Sequence, residues 1–139
     1  MNRRFEITRA AELPTLAVFR AFIKSICQQM NLDPGTIMDV TLAVDEACTN
    51  IIKHGYAGMN PGSIILALKF EPDKLWVDIT DFGHPFEPTE PPKPDVEAIM
   101  DDQESGGFGL HIIYQTMDDI HYYPDDLGNR LVFVKQLTR

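Results

Sequence analysis

Glu46 and Asn50 stand four residues apart in the segment DEACTNIIKHGY, residues 45–56, so on a helix they share one side, a turn apart. A carboxylate and a carboxamide at that spacing can act jointly. The carboxylate can orient a water or hydroxyl and take its proton, while the amide oxygen coordinates a hard cation. Magnesium suits such a place, because it takes few protein oxygens and fills its other positions with water and phosphate. Lys53 lies on the same side. The plain alternative is a solvated helix face, although Asn is a mediocre residue for the middle of a helix.

Two later segments could complete a site. In DFGHPFEP, residues 81–88, Asp81 follows an alternating strand and can accept a hydrogen bond from an exocyclic amino group such as that of adenine. Gly83 then permits a backbone geometry, or a close approach of a ligand, that a side chain would block. A simple Asp-Gly turn explains the same letters. In GGFGL, residues 106–110, Gly106, Gly107 and Gly109 precede an apolar helical pattern. Successive backbone N–H groups at a helix start make an anion site without a lysine, and a glycine hinge is the competing reading. Neither GxxxxGK[ST] nor a strand-borne GxGxxG is present.

The elements that must position these residues can be read from periodicity. RFEIT alternates as a short strand, and Leu13 to Met30 carries apolar residues at helical spacing: Leu16, Phe19, Ile23, Ile26, Met30. NLDPGT breaks that helix, with Asp33 as N-cap and Pro34 at the first position of a second helix, expected to reach about His54 before Gly55 stops it. With Ile37 at zero on a helical wheel, Val40, Val44, Ala47, Cys48 and Ile51 fall within about 80° of it. Lys53, Glu46, Asp39 and Asn50 fall at about 160°, 180°, 200° and 220°. The first group predicts a core stripe and the second an opposite one.

IILALKF and LWVDITDF flank EPDK as a hairpin, and DDIHYYP and NRLVFVKQL flank the turn DDLGN as another strand pair. Residues 83–105 are proline-rich and read as a long loop. The order strand, two helices, hairpin, loop, helix, strand pair predicts an α+β two-layer fold with a mainly antiparallel sheet packed on three helices.

The chain's 139 residues, 44% hydrophobic and 24% charged, fit one domain spanning residues 1–139 and one site. Twelve basic against twenty-one acidic residues give a net charge of −9, which argues against non-specific nucleic-acid binding. Cys27 and Cys48 lie in helical patterns without a CxxC partner and read as core residues. No stretch approaches a membrane span and no apolar leader follows the N-terminus, so a cytoplasmic protein away from membranes is expected.

In the order ExxxN, DxG, GxGL, these segments resemble the Bergerat-type ATP-binding fold of gyrase, histidine kinases and MutL, over nearly the whole chain. Within it, DEACTNIIKHGY, DFGHPFEP and GGFGLHII look most like the stand-alone anti-sigma-factor serine kinases of the RsbW type. The resemblance implies ATP and magnesium, with Glu46 as general base, Asn50 as magnesium ligand, Asp81 on the adenine amino group and Gly83 lining the base pocket. Gly106, Gly107, Phe108, Gly109 and Leu110 would wrap the phosphates, Lys53 and His54 would lie near them, and residues 85–105 would form a lid. It implies transfer to a Ser or Thr of a small STAS-type antagonist, a sigma factor as a second partner, and compatibility with a homodimer. Many relatives carry a basic residue where this chain has Phe108, which predicts weaker ATP binding or slower transfer. An ATP-dependent protein-binding module without transfer is the alternative.

Overall fold

The computed structural model of the protein describes residues 2–85, 113–125 and 127–137. Five strands, β1 (Arg3–Ala10), β2 (Ser63–Phe70), β3 (Lys74–Asp81), β4 (Asp119–Tyr123) and β5 (Asn129–Gln136), form one sheet. Its order is β1-β2-β3-β5-β4, and every neighbouring pair is antiparallel. Helices α1 (Thr15–Gln29) and α2 (Pro34–Asn50) contribute to the core, and residues 113–116 are helical. The α+β two-layer expectation is borne out.

Period-two alternation sorts the sheet's faces. Ile64, Leu66, Leu68 and Phe70 on β2 and Leu75, Val77 and Ile79 on β3 are fully buried, in one cluster with Phe19, Ile23 and Cys27 of α1 and Val40, Val44, Ala47 and Cys48 of α2. The intervening residues, among them Lys69, Trp76 and Asp78, fall on the opposite face. Both cysteines are free and buried, and burial pushes the Cys27 thiol up to about 12, as inert core residues require.

The break between the helices follows its letters closely. Asn31 takes the left-handed conformation (φ 62°) while the Leu32 N–H reaches back to Cys27 O at 3.0 Å, closing α1. Asp33 then caps α2: its Oδ2 accepts from Thr36 N at 3.1 Å and its Oδ1 from Thr36 Oγ1 at 2.6 Å, with Pro34 in the first turn. These bonds hold the Asp33 carboxyl below its ordinary value. A lowered carboxylate stabilises above its unfolded value of 3.8 and loses that contribution as pH falls through the folded one. Asp33→Ala should therefore lower Tm by about 2–4 °C at neutral pH, with the two melting curves converging in acid. A gap that persists in acid would contradict the capping account.

The second helix departs from expectation at its end. It is α-helical only to Asn50, and Ile51–Gly55 forms a π-helical turn in which Tyr56 N bonds Ile51 O at 3.3 Å. Tyr56 anchors that turn to the sheet, donating its hydroxyl to Ser63 O at 2.8 Å and accepting from Phe82 N at 2.9 Å. The extra residue in the turn lets Gly55 meet the end of β3.

Candidate functional site

Asp81 is the last residue of β3, faces the helices, and is only 7% exposed. Its Oδ1 accepts from Gly83 N at 2.9 Å and from Asn129 Nδ2 at 3.2 Å. Burial raises the carboxyl above its ordinary value, and these two hydrogen bonds offset part of the rise. A buried carboxylate held this way is an oriented acceptor.

Asn129 opens β5 directly across from Asp81 and is 1% exposed. Its Nδ2 also donates to Gly83 O at 2.9 Å. Both of these partners are acceptors, which fixes the amide's orientation and leaves Oδ1 without a donor among the described residues. A buried acceptor left unmade costs about 1–3 kcal/mol, which a donor on a bound molecule would recover. An exocyclic amino group, which brings only donors to this corner, fits the chemistry.

Gly83 sits where backbone meets backbone. A Cβ built on it would lie 2.2 Å from Gly55 O, 2.5 Å from Gly55 C and 3.2 Å from Tyr56 N. His84 N donates to the same Gly55 O at 2.6 Å, and His84 Nε2 lies 3.0 Å from Ala57 O. The close approach that Gly83 permits is thus to the end of the first motif. Gly55 in turn has its Cα toward Asp81: a Cβ there would be 3.8 Å from Asp81 Oδ1.

On α2, Glu46 is half-buried. Burial first, and the neighbouring Asp45 charge second, raise its carboxyl above the ordinary value, while Lys53 pulls it partly back. A carboxylate shifted upward is a better base near neutral pH. Asp45 is itself paired with Arg20 of α1 at 2.5 Å.

Asn50 corrects the wheel. It is 5% exposed, not part of a wet stripe, because the buried arc also includes Ala43 and so centres nearer Ala47 than the half-buried Ile37. Its carboxamide, one turn beyond Glu46, is of the oxygen-donor type that magnesium accepts, so the donor chemistry fits that ion. Lys53 and His54 are exposed on the π-helical turn.

Gly106, Gly107, Phe108, Gly109 and Leu110, and the expected lid beyond Pro85, lie outside the described residues. The helix they were expected to open is described from Ile113, which is buried. Its carbonyl end is held by Lys135, whose Nζ donates to Thr116 O at 2.6 Å and pairs with Asp39 at 3.0 Å. Asn129 and Lys135 escaped the motif reading. Counting by twos from Phe133 in NRLVFVKQL puts both on the core-facing side, and that parity was the available signal.

The buried Asp-x-Gly stretch is thus stapled to the π-helical turn that continues the helix carrying Glu46 and Asn50. The family model described as the histidine kinase-like ATPase domain matches residues 9–135, and the chain belongs to that family. Serine-protein kinase RsbW of Bacillus licheniformis is 28% identical to it, over 96% of this chain and 86% of the relative. Serine/threonine-protein kinase BtrW of Bordetella bronchiseptica is 32% identical over 66% of this chain and 65% of the relative. The crystal structure of the RsbU and RsbW domains of a Mycobacterium tuberculosis protein matches the fold with a TM-score of 0.73 at 17% identity, covering 99% of this chain and 33% of that one. The resemblance to RsbW-type kinases is borne out, and the chain is an ATP-using enzyme of that kinase type.

Proposed function

We propose that the protein transfers the γ-phosphoryl group of Mg·ATP to a Ser or Thr of a small STAS-type antagonist in a partner-switching pathway, and that a sigma factor is its second partner. The observation that supports this reading is the stapling of Gly83 and His84 to Gly55 in the π-helical turn, which ties the buried Asp81 carboxylate to the segment that continues the helix carrying Glu46 and Asn50.

In this reading Asp81 accepts from the adenine amino group, Gly83 keeps the base pocket's floor in contact with Gly55, and Asn50 holds magnesium. The glycine run Gly106, Gly107 and Gly109, with Phe108 and Leu110, offers N–H groups to the phosphates, and Lys53 and His54 lie toward them. Magnesium, when bound, neutralises charge on the phosphates. Glu46 orients the acceptor hydroxyl and takes its proton as the oxygen bonds to phosphorus and the bond to the ADP oxygen breaks. Protein phosphotransfer of this kind is mostly positioning and electrostatics, which a small domain can supply.

The test is incubation with Mg·ATP and the cognate antagonist. A phosphoserine or phosphothreonine should form on the antagonist, and Asn50→Ala should lower the rate at least about a hundredfold and weaken its dependence on magnesium concentration. Unchanged magnesium dependence in that variant would remove Asn50 from its role. Stable ATP-dependent binding of the antagonist without any phosphorylation would favour the binding-module reading, for which Phe108 in place of a basic residue is the supporting feature.

A further inference from the structure

Asn129 carries an acceptor that none of the roles above uses. Its Nδ2 is committed twice, to Asp81 Oδ1 at 3.2 Å and to Gly83 O at 2.9 Å, so the oxygen cannot be exchanged for the nitrogen by turning the amide over. Turning it would set oxygen against two acceptors. Asp81 uses Oδ1 for both hydrogen bonds it accepts, and among the described residues nothing donates to its Oδ2. The buried acceptor Asn129 Oδ1 and the acceptor Asp81 Oδ2 therefore belong to side chains directly opposite one another on β3 and β5. Directly opposed side chains on antiparallel strands are about 4.5–5.5 Å apart at Cβ, close enough to serve one small group.

A primary amino group has two N–H bonds that diverge in one plane. Asp81 alone can use only one well, and a second acceptor makes the difference between an amino group and a substituted amine legible. We propose that Asn129 is a specificity-determining residue whose Oδ1 accepts the second N–H of the purine 6-amino group, so that the base is recognised through both hydrogens at once. The inference rests on the adenine reading of Asp81. It predicts that the site rejects a purine with oxygen at that position, because oxygen would face two acceptors. It also predicts rejection of a 6-methylamino purine, which keeps one N–H and presents a methyl group to Asn129.

Competition binding with ATP, inosine triphosphate and N6-methyl-ATP, with magnesium, tests this on the wild-type protein without any variant. ATP should bind at least about tenfold more tightly than either analogue, as a site with a buried polar group left unpaired discriminates. Asn129→Ser shortens the side chain, keeps a hydroxyl able to donate to Asp81, and makes room for the methyl group. In it the preference for ATP over N6-methyl-ATP should fall to within about threefold, while the preference over inosine triphosphate persists through Asp81. Melting of the unliganded variant, and Asn129→Thr beside it, guard against a folding defect. Equal wild-type affinity for ATP and N6-methyl-ATP would overturn the inference and leave the adenine reading standing. Binding of none of the three would overturn both. Undiminished discrimination in folded Asn129→Ser and Asn129→Thr would take the role away from Asn129.

Discussion

Glu46→Gln should reduce phosphotransfer to the antagonist by about 10²–10⁴ while leaving ATP affinity within a few-fold of wild type. The amide keeps the size and hydrogen-bonding outline of the carboxylate and removes only the ability to take a proton. The wild-type rate should rise with pH through the raised value of the Glu46 carboxyl and then level off, and the residual rate of the variant should lack that rise. Stability should move the other way. A carboxyl raised on folding favours the native state below its unfolded value, ordinarily 4.5, and that contribution is lost as pH climbs through the folded one. At neutral pH the wild type therefore carries the cost of a half-buried charge beside Asp45, which Gln does not. Discounted for solvent screening, the gain is about 0.5 kcal/mol, or roughly 1–2 °C in Tm, and it should vanish near pH 4. A variant that loses transfer and also melts lower at pH 7 would point to a structural role for Glu46 and not to a base.

How far the site could be read in advance divides along local and non-local lines. The Asp33 cap, the Asn31 break and the alternation of β2 and β3 depend on neighbours within a few residues, and each was legible. Asn50 was not, because a helical wheel gives angles but not the direction of the sheet; choosing Ile37 as the centre moved a buried residue to the edge of the wet stripe. The π-helical turn was hidden for a similar reason. The apolar spacing of IIKHGY suits a continuing α-helix, whereas the turn is anchored through Tyr56, which bonds Ser63 beyond the motif and Phe82, 26 residues along the sequence. Asn129 opens NRLVFVKQL, where β5 does begin, but its partner across the sheet, Asp81, lies 48 residues back and no local pattern pairs the two.

Gly83→Ala should be the most damaging single methyl in the described part of the fold. The added Cβ would fall 2.2 Å from the Gly55 carbonyl oxygen and 2.5 Å from its carbon, and backbone on both sides offers no rotamer by which to yield. Relief requires β3 and the π-helical turn to separate, which breaks the His84 N to Gly55 O bond and disturbs the Asn129 Nδ2 to Gly83 O bond. Overpacking of this kind, with hydrogen bonds lost beside it, costs about 3 kcal/mol, or roughly 10 °C in Tm for a domain of this size. Gly58→Ala supplies the scale. Gly58 has φ 75° with nothing within 4 Å of an added Cβ, so there the methyl meets backbone strain alone, about 1–2 kcal/mol. The pair also separates two meanings of an Asp-x-Gly motif. If Gly83 exists only to let a nucleotide approach, its alanine variant will melt like wild type without ATP and fail only to be stabilised by it. If it exists to let the chain approach itself, the unliganded protein will already melt far below both wild type and Gly58→Ala. The clash that an added Cβ would make with the Gly55 carbonyl requires the second outcome, because the two stretches of backbone already close tightly on one another.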